Sequence, residues 1–252
     1  MSKHKFLKHF GGWNKPTSDE RDFKFFIPVS TPPLPEVDLR PGMPPVYDQG
    51  QLGSCTANAI GAAFEFELLR QKLTDFTPSR LFIYYNERVI EGDVAEDSGA
   101  QGRDGLKVIA NQGVCPETMW PYDISQFTTK PPDTCYQVAK NNVAIQYLSV
   151  PQDLNQMKAC HGQGFPFVFG MNVYESFESE AVATTGIVPM PMPGENLLGG
   201  HYVCSAGHSD AKQALLVRNS WGSGWGLGGY FWLPYAYIAQ ETSDYWTIRK
   251  VA

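Results

Sequence analysis

What this chain lacks narrows it first. No apolar run approaches the ~20 residues that cross a bilayer. The first residues, Met1 to Phe10, are basic, with only Phe6, Leu7 and Phe10 apolar, so they lack the apolar core of a signal peptide. As numbered, the chain is therefore expected to be cytoplasmic, or secreted if a leader has been removed or a signal-independent route serves. Excess positive charge is missing too: 20 Lys and Arg against 26 Asp and Glu leave a net charge of -6, which gives no reason to expect nucleic acid or an anionic membrane as partner. No two cysteines have the close spacing of a zinc knuckle, and Cys160-His161 has no matching second pair, so a zinc site is not expected. Disorder is excluded by 42% hydrophobic and 13% aromatic residues against 18% charged, and no internal repeat is visible.

What is present is an odd number of thiols. Five cysteines, Cys55, Cys115, Cys135, Cys160 and Cys204, leave one over if two bridges form. Cys115 and Cys135 flank a proline-rich excursion, and both a disulfide there and two quiet core thiols remain open. Cys55 stands apart. It lies in Asp-Gln-Gly-Gln-Leu-Gly-Ser-Cys-Thr-Ala-Asn-Ala, residues 48 to 59, followed by Ile60, Ala63, Phe64 and Leu68 at three- and four-residue spacing. That pattern predicts a buried helix over about Thr56 to Lys72, with Cys55 at its N-terminus, where unpaired N–H groups and the helix dipole favour a thiolate.

Residues 1–37, with Pro32, Pro33 and Pro35, read as an extended arm or linker, and the body starts near Asp38. Thr77-Pro78 reads as the cap and first residue of a second helix through Leu81, Tyr84, Tyr85 and Val89. Asp104 to Asn111 fits a third, Trp120 to Asp133 a loop, and Asp153 to Cys160 a fourth helix stopped by Gly162 and Gly164. From Phe165 the runs are of strand length: Phe165–Val173, Gly186–Met190, Tyr202–Ala206, Ala214–Arg218, Gly229–Leu233 and Tyr245–Lys250. A helical half followed by an antiparallel half implies an α+β protein of two lobes, with a cleft between them.

A thiol nucleophile needs a base, and the base an orienting partner. His201 opens one strand-like run and Asn219 closes the next, so a hairpin would place them on neighbouring strands near one sheet end, with the Asn amide accepting from the imidazole. His208, at the far end of the same strand, and His161 compete; His4 and His9 lie in the arm. The Gly-x-Gly-x-x-Gly match at Gly224, Gly226 and Gly229 fails as a nucleotide loop because it leads into a strand. It reads better as a tight connection that lets Trp221 and Trp225 pack beside Asn219.

Gln49-Gly50, Gly53-Ser54-Cys55, Gly200-His201, and Asn219-Ser220-Trp221-Gly222 with Gly224-Trp225-Gly226 and Gly229-Tyr230 stand in the order of the papain-like cysteine peptidases, which the chain resembles over roughly residues 37 to 252. Val37-Asp38-Leu39-Arg40 resembles the family's mature start. The Cys-Thr-Ala-Asn-Ala motif is similar to a bacterial and archaeal branch. The resemblance implies the two-lobed α+β papain-like fold, a helical first lobe (about 38–140) and an antiparallel sheet or barrel second lobe (141–252), with the active site in the cleft between them. It implies Cys55 as nucleophile, His201 as base and acid, Asn219 as its orienter, Gln49 as oxyanion donor and Trp221 as shield of the His201–Asn219 contact. Gly53, Ser54, Ser98, Gly99, Ala100 and Gly200 would line the substrate site, with no cofactor and a protein or peptide as substrate.

The chain departs from the family at Leu52, where a cysteine is usual, and at Thr56, where tryptophan is usual, so the usual first-lobe disulfide is absent. The glycine pair lining the cleft is represented only by Ser98 to Gly102. With only about 37 residues before the body, no long helical prodomain fits. The arm is then either a short prosegment that lies in the cleft and inhibits until cut, or a disordered tail or strap on the back of the body. Alternatives to hydrolysis are acyl transfer by the same three residues, and a non-catalytic peptide-binding protein on the same scaffold.

Overall fold

Helix α1 (Cys55–Gln71) is small or apolar on nearly every side, and a helix of that kind belongs inside. Residues Cys55 to Leu68 are all buried. In the computed structural model, which describes residues 12–16, 22–27 and 32–252, the helix starts and ends one residue earlier than its periodicity predicts. Lys72 ends it in a left-handed conformation, φ 56°. The arm's remaining residues, with Met1 to Phe10, His4 and His9, lie outside the described residues.

Helix α2 (Arg80–Glu91) is capped at Ser79, whose Oγ accepts from Phe82 N at 3.2 Å, and not at Thr77. Thr77 and Pro78 are drawn out instead, because Thr77 O accepts from Glu117 N at 2.8 Å and Pro78 bridges Pro116. Helix α3 (Gly102–Asn111) starts two residues before the predicted Asp104. A short helix, α4 (Asp133–Ala139), follows the Trp120 to Asp133 excursion, which itself holds one 3-10 turn. Strand β2 (Ala144–Ser149) and helix α5 (Leu154–Gly162), capped by Asp153, lead into the sheet.

Seven strands form that sheet: β1 (Glu36–Asp38), β2, β3 (Phe167–Tyr174), β4 (Leu197–Ser209), β5 (Ala214–Arg218), β6 (Tyr230–Pro234) and β7 (Thr242–Val251). Their order is β2-β7-β3-β4-β5-β6, with β1 beside β4, and every named pairing is antiparallel. The expected strand at Gly186–Met190 is absent. Helix α6 (Glu180–Thr185) runs up to Gly186 at φ 65°, and only Ile187 bridges Trp232 before Pro189 and Pro191 break the run. Helix α7 (Tyr235–Glu241) sits between β6 and β7.

Period-two alternation decides where the lobes meet. Val168, Tyr202 and Cys204 join the helical core, which also holds Ile60, Phe64 and Leu106. Their neighbours Phe167, Phe169 and Val203 join the second core, with Leu215, Trp225 and Phe231. Strands β3 and β4 are thus lined on both faces, and α1 lies against β4 where the two lobes join. Among the described residues no helix is long and apolar enough to cross a membrane.

Candidate active site

Cys55 is the first residue of α1, and the loop before it is held from several sides. Arg80 Nη1 donates to Asp48 O at 3.1 Å, Tyr122 OH to Gln49 O at 2.9 Å, and Gly53 N to the Asp97 carboxylate at 3.0 Å. Gln49 N in turn donates to Ser220 O at 2.8 Å, which ties the loop to the other lobe.

His201 lies on β4 and Asn219 immediately after β5; the two strands pair at Cys204 and Arg218. The hairpin expectation therefore holds. His201 Nε2 stands 2.8 Å from Asn219 Oδ1, which also accepts from Ser220 N at 2.8 Å. Trp221 stacks on the imidazole with ring centroids 5.1 Å apart, and Trp225 braces it edge-on at 5.2 Å. Ser220 Oγ donates to Gln49 Oε1 at 2.5 Å, and Gln49 Nε2 donates to Leu52 O at 2.9 Å. The residue after the histidine reaches the thiol: Tyr202 N donates to Cys55 Sγ at 3.3 Å. Cys55, His201, Asn219, Gln49 and Trp221 thus come together at one place.

The competing histidines do not join them. His161 Nδ1 is 3.2 Å from His208 Nδ1, His161 Nε2 is 3.1 Å from Ser205 Oγ, and His208 Nε2 donates to Leu34 O at 2.8 Å. All four ring nitrogens are used, and burial pushes His161 down to about 3.

The expectation that Cys55 favours a thiolate is overturned in this state. Burial pushes the thiol up to about 12, against the smaller opposing effects of the Tyr202, Thr56 and Cys55 N–H groups, while the nearby Glu87 adds to the rise. The cover comes from the arm. A Cβ on Gly12 would stand 2.8 Å from Cys55 Sγ and 2.7 Å from Gly53 O, so the Gly12 backbone lies directly on the Cys55 thiol.

Ala100 N donates to Gly12 O at 3.1 Å and Asn14 N to Ala100 O at 2.9 Å, a parallel pairing, and Asn14 Nδ2 reaches Ser98 O at 3.2 Å. Gly200 faces the arm from the other side, where its Cβ would meet Trp13 O at 2.7 Å. Gly53, Ser98, Ala100 and Gly200 therefore border the arm, and Gly99 N donates to Tyr84 OH at 3.1 Å. Ser54 does not border the arm: its hydroxyl turns inward to Tyr122 OH at 2.5 Å and Asn58 Nδ2 at 3.1 Å. Sequence reasoning missed Trp13, Tyr122, Asp97 and Asp244. Trp13 carried one signal, a large aromatic directly after two glycines.

The sequence model of the papain family cysteine proteases matches residues 34–242. The chain belongs to that family. A crystal structure of xylellain, a cysteine protease from Xylella fastidiosa, is 44% identical, covers 97% of this chain and 98% of its own, and superposes with a TM-score of 0.90. An uncharacterised peptidase C1-like protein of Acanthamoeba polyphaga mimivirus is 47% identical over 215 residues, 81% of this chain and 69% of that protein. Digestive procathepsin L 3 of Tenebrio molitor, at 21% identity over 96% of this chain and 78% of its own, shares the fold with a TM-score of 0.71. The chain is a cysteine-type peptidase of the α+β, two-lobed papain-like fold, and nothing among its relatives supports the acyl-transfer or binding-protein alternatives.

Proposed function

We propose that Cys55, His201, Asn219 and Gln49 carry peptide-bond hydrolysis, and that the structure represents the chain with its own arm closing the site. One observation carries the first half of this reading: the 2.8 Å His201–Asn219 contact, roofed by Trp221, beside a thiol bonded by the next residue's N–H. With Nε2 donating to Asn219, Nδ1 is the nitrogen that exchanges a proton with Sγ. Cys55 Sγ then attacks the peptide carbonyl carbon, and the carbonyl electron pair moves to oxygen. The oxyanion accepts from Cys55 N and from the second N–H of Gln49 Nε2, whose first goes to Leu52 O. Collapse breaks the C–N bond, and His201 gives its proton to the leaving amine. Water, deprotonated by His201, then attacks the thioester and releases the acid, restoring the thiol.

Residues 1–37 act as a short prosegment and 38–252 as the peptidase body, with lobes at about 38–140 and 141–252. The Gly12 backbone excludes both substrate and water from Cys55, so one contact blocks the cleft and keeps the thiol protonated. Cleavage or release of the arm turns this zymogen on. The Tenebrio relative is a procathepsin, which is consistent with that reading. The partners are protein or peptide substrates. The test is intact-mass analysis after an epoxide-type cysteine-peptidase inhibitor, on wild type, Cys55→Ala and His201→Ala, together with cleavage of an unfolded protein. A single adduct on Cys55 that slows without His201 is expected. Labelling that is indifferent to His201 refutes the assignment.

A further inference from the structure

One of the five buried thiols belongs to the site already described; four remain, all of them free. Cys204 packs into the helical core and Cys160 into the second core, so the sheet stands between them. Cys115 and Cys135 differ. Both lie in the helical core, 0% and 1% exposed, and their side chains share a hydrogen bond.

The backbone sets them together. Gly113, at φ 77°, is pressed against α4: a Cβ there would stand 1.8 Å from Ala139 O, and the next residue, Val114, donates its N–H to Asn142 O at 2.9 Å. Cys135 and Ala139 are the two buried residues of α4, one turn apart on the same face, so a chain that passes Ala139 at Gly113 meets Cys135 at Cys115. Ser79 N donates to the Cys115 carbonyl at 2.8 Å from the α2 side, and the Cys135 thiol donates on to Met119 O at 3.9 Å.

We propose that Cys115 and Cys135 are a reversible disulfide site, closed by a small-molecule disulfide such as glutathione disulfide, and that the bridge clasps the segment between them, residues 116–134, onto the first lobe. What it fastens is specific. Glu117 of that segment pairs with Arg80 at 2.7 Å, Trp120 O accepts from Ser79 Oγ at 2.7 Å, and Tyr122 OH donates to Gln49 O at 2.9 Å, so the segment holds the loop before Cys55. The clasp does not depend on what Cys55 itself does.

Closure begins with a local opening. Helix α4 has no side-chain cap, and Asp133 at its first position has its side chain 84% exposed, so the first turn, which carries Cys135, opens more readily than the core beneath it. The Cys135 thiolate attacks one sulfur of glutathione disulfide and expels a glutathione thiolate, leaving a mixed disulfide on Cys135. The Cys115 thiolate then attacks the Cys135 sulfur and expels the second. Two protein thiols are oxidised, one glutathione disulfide is reduced to two glutathiones, and the two thiol protons pass to the departing thiolates. Excess glutathione runs the same steps backwards.

The experiment incubates the folded wild-type chain in glutathione buffers of increasing disulfide content, blocks the remaining thiols with N-ethylmaleimide in urea, and maps the unreduced peptides by mass spectrometry. A peptide linked through Cys115 and Cys135 should accumulate, and disappear when glutathione is restored, while Cys160 and Cys204 carry the block throughout. Cys115→Ser should arrest the reaction at a glutathione adduct on Cys135. In urea denaturation the oxidised wild type should have a folded-to-unfolded ratio at least about tenfold above the reduced one, and the double variant Cys115→Ala, Cys135→Ala should lose that redox dependence. Full blocking of Cys115 and Cys135 after a large excess of glutathione disulfide, a bridge from either to another cysteine, or a bridge that leaves the wild-type urea midpoint unchanged overturns the proposal.

Discussion

Gly12→Ala is the sharpest single perturbation of the arm. The added methyl group would stand 2.8 Å from Cys55 Sγ, 2.7 Å from Gly53 O and 3.0 Å from Gly53 C. None of these is the far end of a flexible side chain, so relief comes by lifting the arm off the thiol. Overpacking of this kind costs ~1–3 kcal/mol. Spread over the closed and open arm, that raises the open fraction by roughly 5- to 150-fold. Opening also returns water to Sγ, so a thiol pushed up to about 12 by burial moves back toward its ordinary value. Reaction of Cys55 with a neutral epoxide or iodoacetamide, followed by intact mass, should therefore accelerate by at least fivefold in Gly12→Ala, and more in Gly12→Val. The pH at which labelling reaches half its maximum should fall as well. Gly162→Ala, where the added atom meets nothing within 4 Å, is the control and should label like wild type. A wild-type rate and pH profile in folded Gly12→Val refutes the placement of the arm on the Cys55 thiol.

Asn219→Ala, in the Gly12→Val background, should lower kcat roughly tenfold through loss of the 2.8 Å bond to His201, with KM little changed in steady-state kinetics. Arg80 pairs with Glu117 at 2.7 Å, holds Asp48 O, and packs 4.0 Å over the Tyr122 ring, so Arg80→Met should lower stability by ~3–5 kcal/mol in urea denaturation. Burial raises Glu87 well above its ordinary value; the folded state keeps that proton while the unfolded chain releases it above about 4.5. Its stabilising effect is complete below that pH and is lost as pH rises toward the folded-state value, and Glu87→Gln should flatten this loss in urea midpoints between pH 5 and 8. His161 has the opposite sign: held neutral down to about 3, it contributes above 6.5 and loses that contribution as pH falls, so His161→Gln should weaken the acid dependence of the same midpoints.

The elements legible in advance were those with a local signal. The periodicity of α1, the Asp153 cap and the even strand run at Ala214–Arg218 needed no tertiary partner to be read. The cap at Ser79 was missed because its choice over Thr77 depends on Glu117 and Cys115, nearly forty residues away, which pull the preceding backbone into an extended path. Helix α6 was misread because Gly186, read as the start of a strand, is the left-handed end of a helix. At the site, the convergence of Cys55, His201, Asn219 and Gln49 was foreseeable because their neighbours form motifs. Asp244 has no motif, and its position beneath Trp13 follows only from the pairing of β7 with β3. The thiol's raised value was likewise invisible, since helix position speaks for a thiolate and burial, with Glu87 nearby, reverses it.

Two departures from the family pattern, Leu52 and Thr56, explain how the loop before Cys55 is held without a disulfide. Leu52 is buried where a cysteine would stand, and its carbonyl takes one N–H of Gln49, so the side chain fills space while the backbone positions the amide. Thr56 Oγ1 donates to Glu87 Oε2 at 2.8 Å inside the core, anchoring the first turn of α1 to α2. Asp97, itself bonded by Tyr84 OH at 2.5 Å, grips Gly53 N, and Tyr122 spans Ser54 and Gln49. The loop is thus fastened to α2, to the residue 97 turn, to the Trp120 to Asp133 excursion and, through Ser220, to the second lobe. A disulfide would restrain it through one covalent link that survives partial unfolding; here the restraints are spread over several elements. Local opening of any one of them loosens Gln49 and Cys55 together, so the geometry of the active site depends on the intact packing of both lobes.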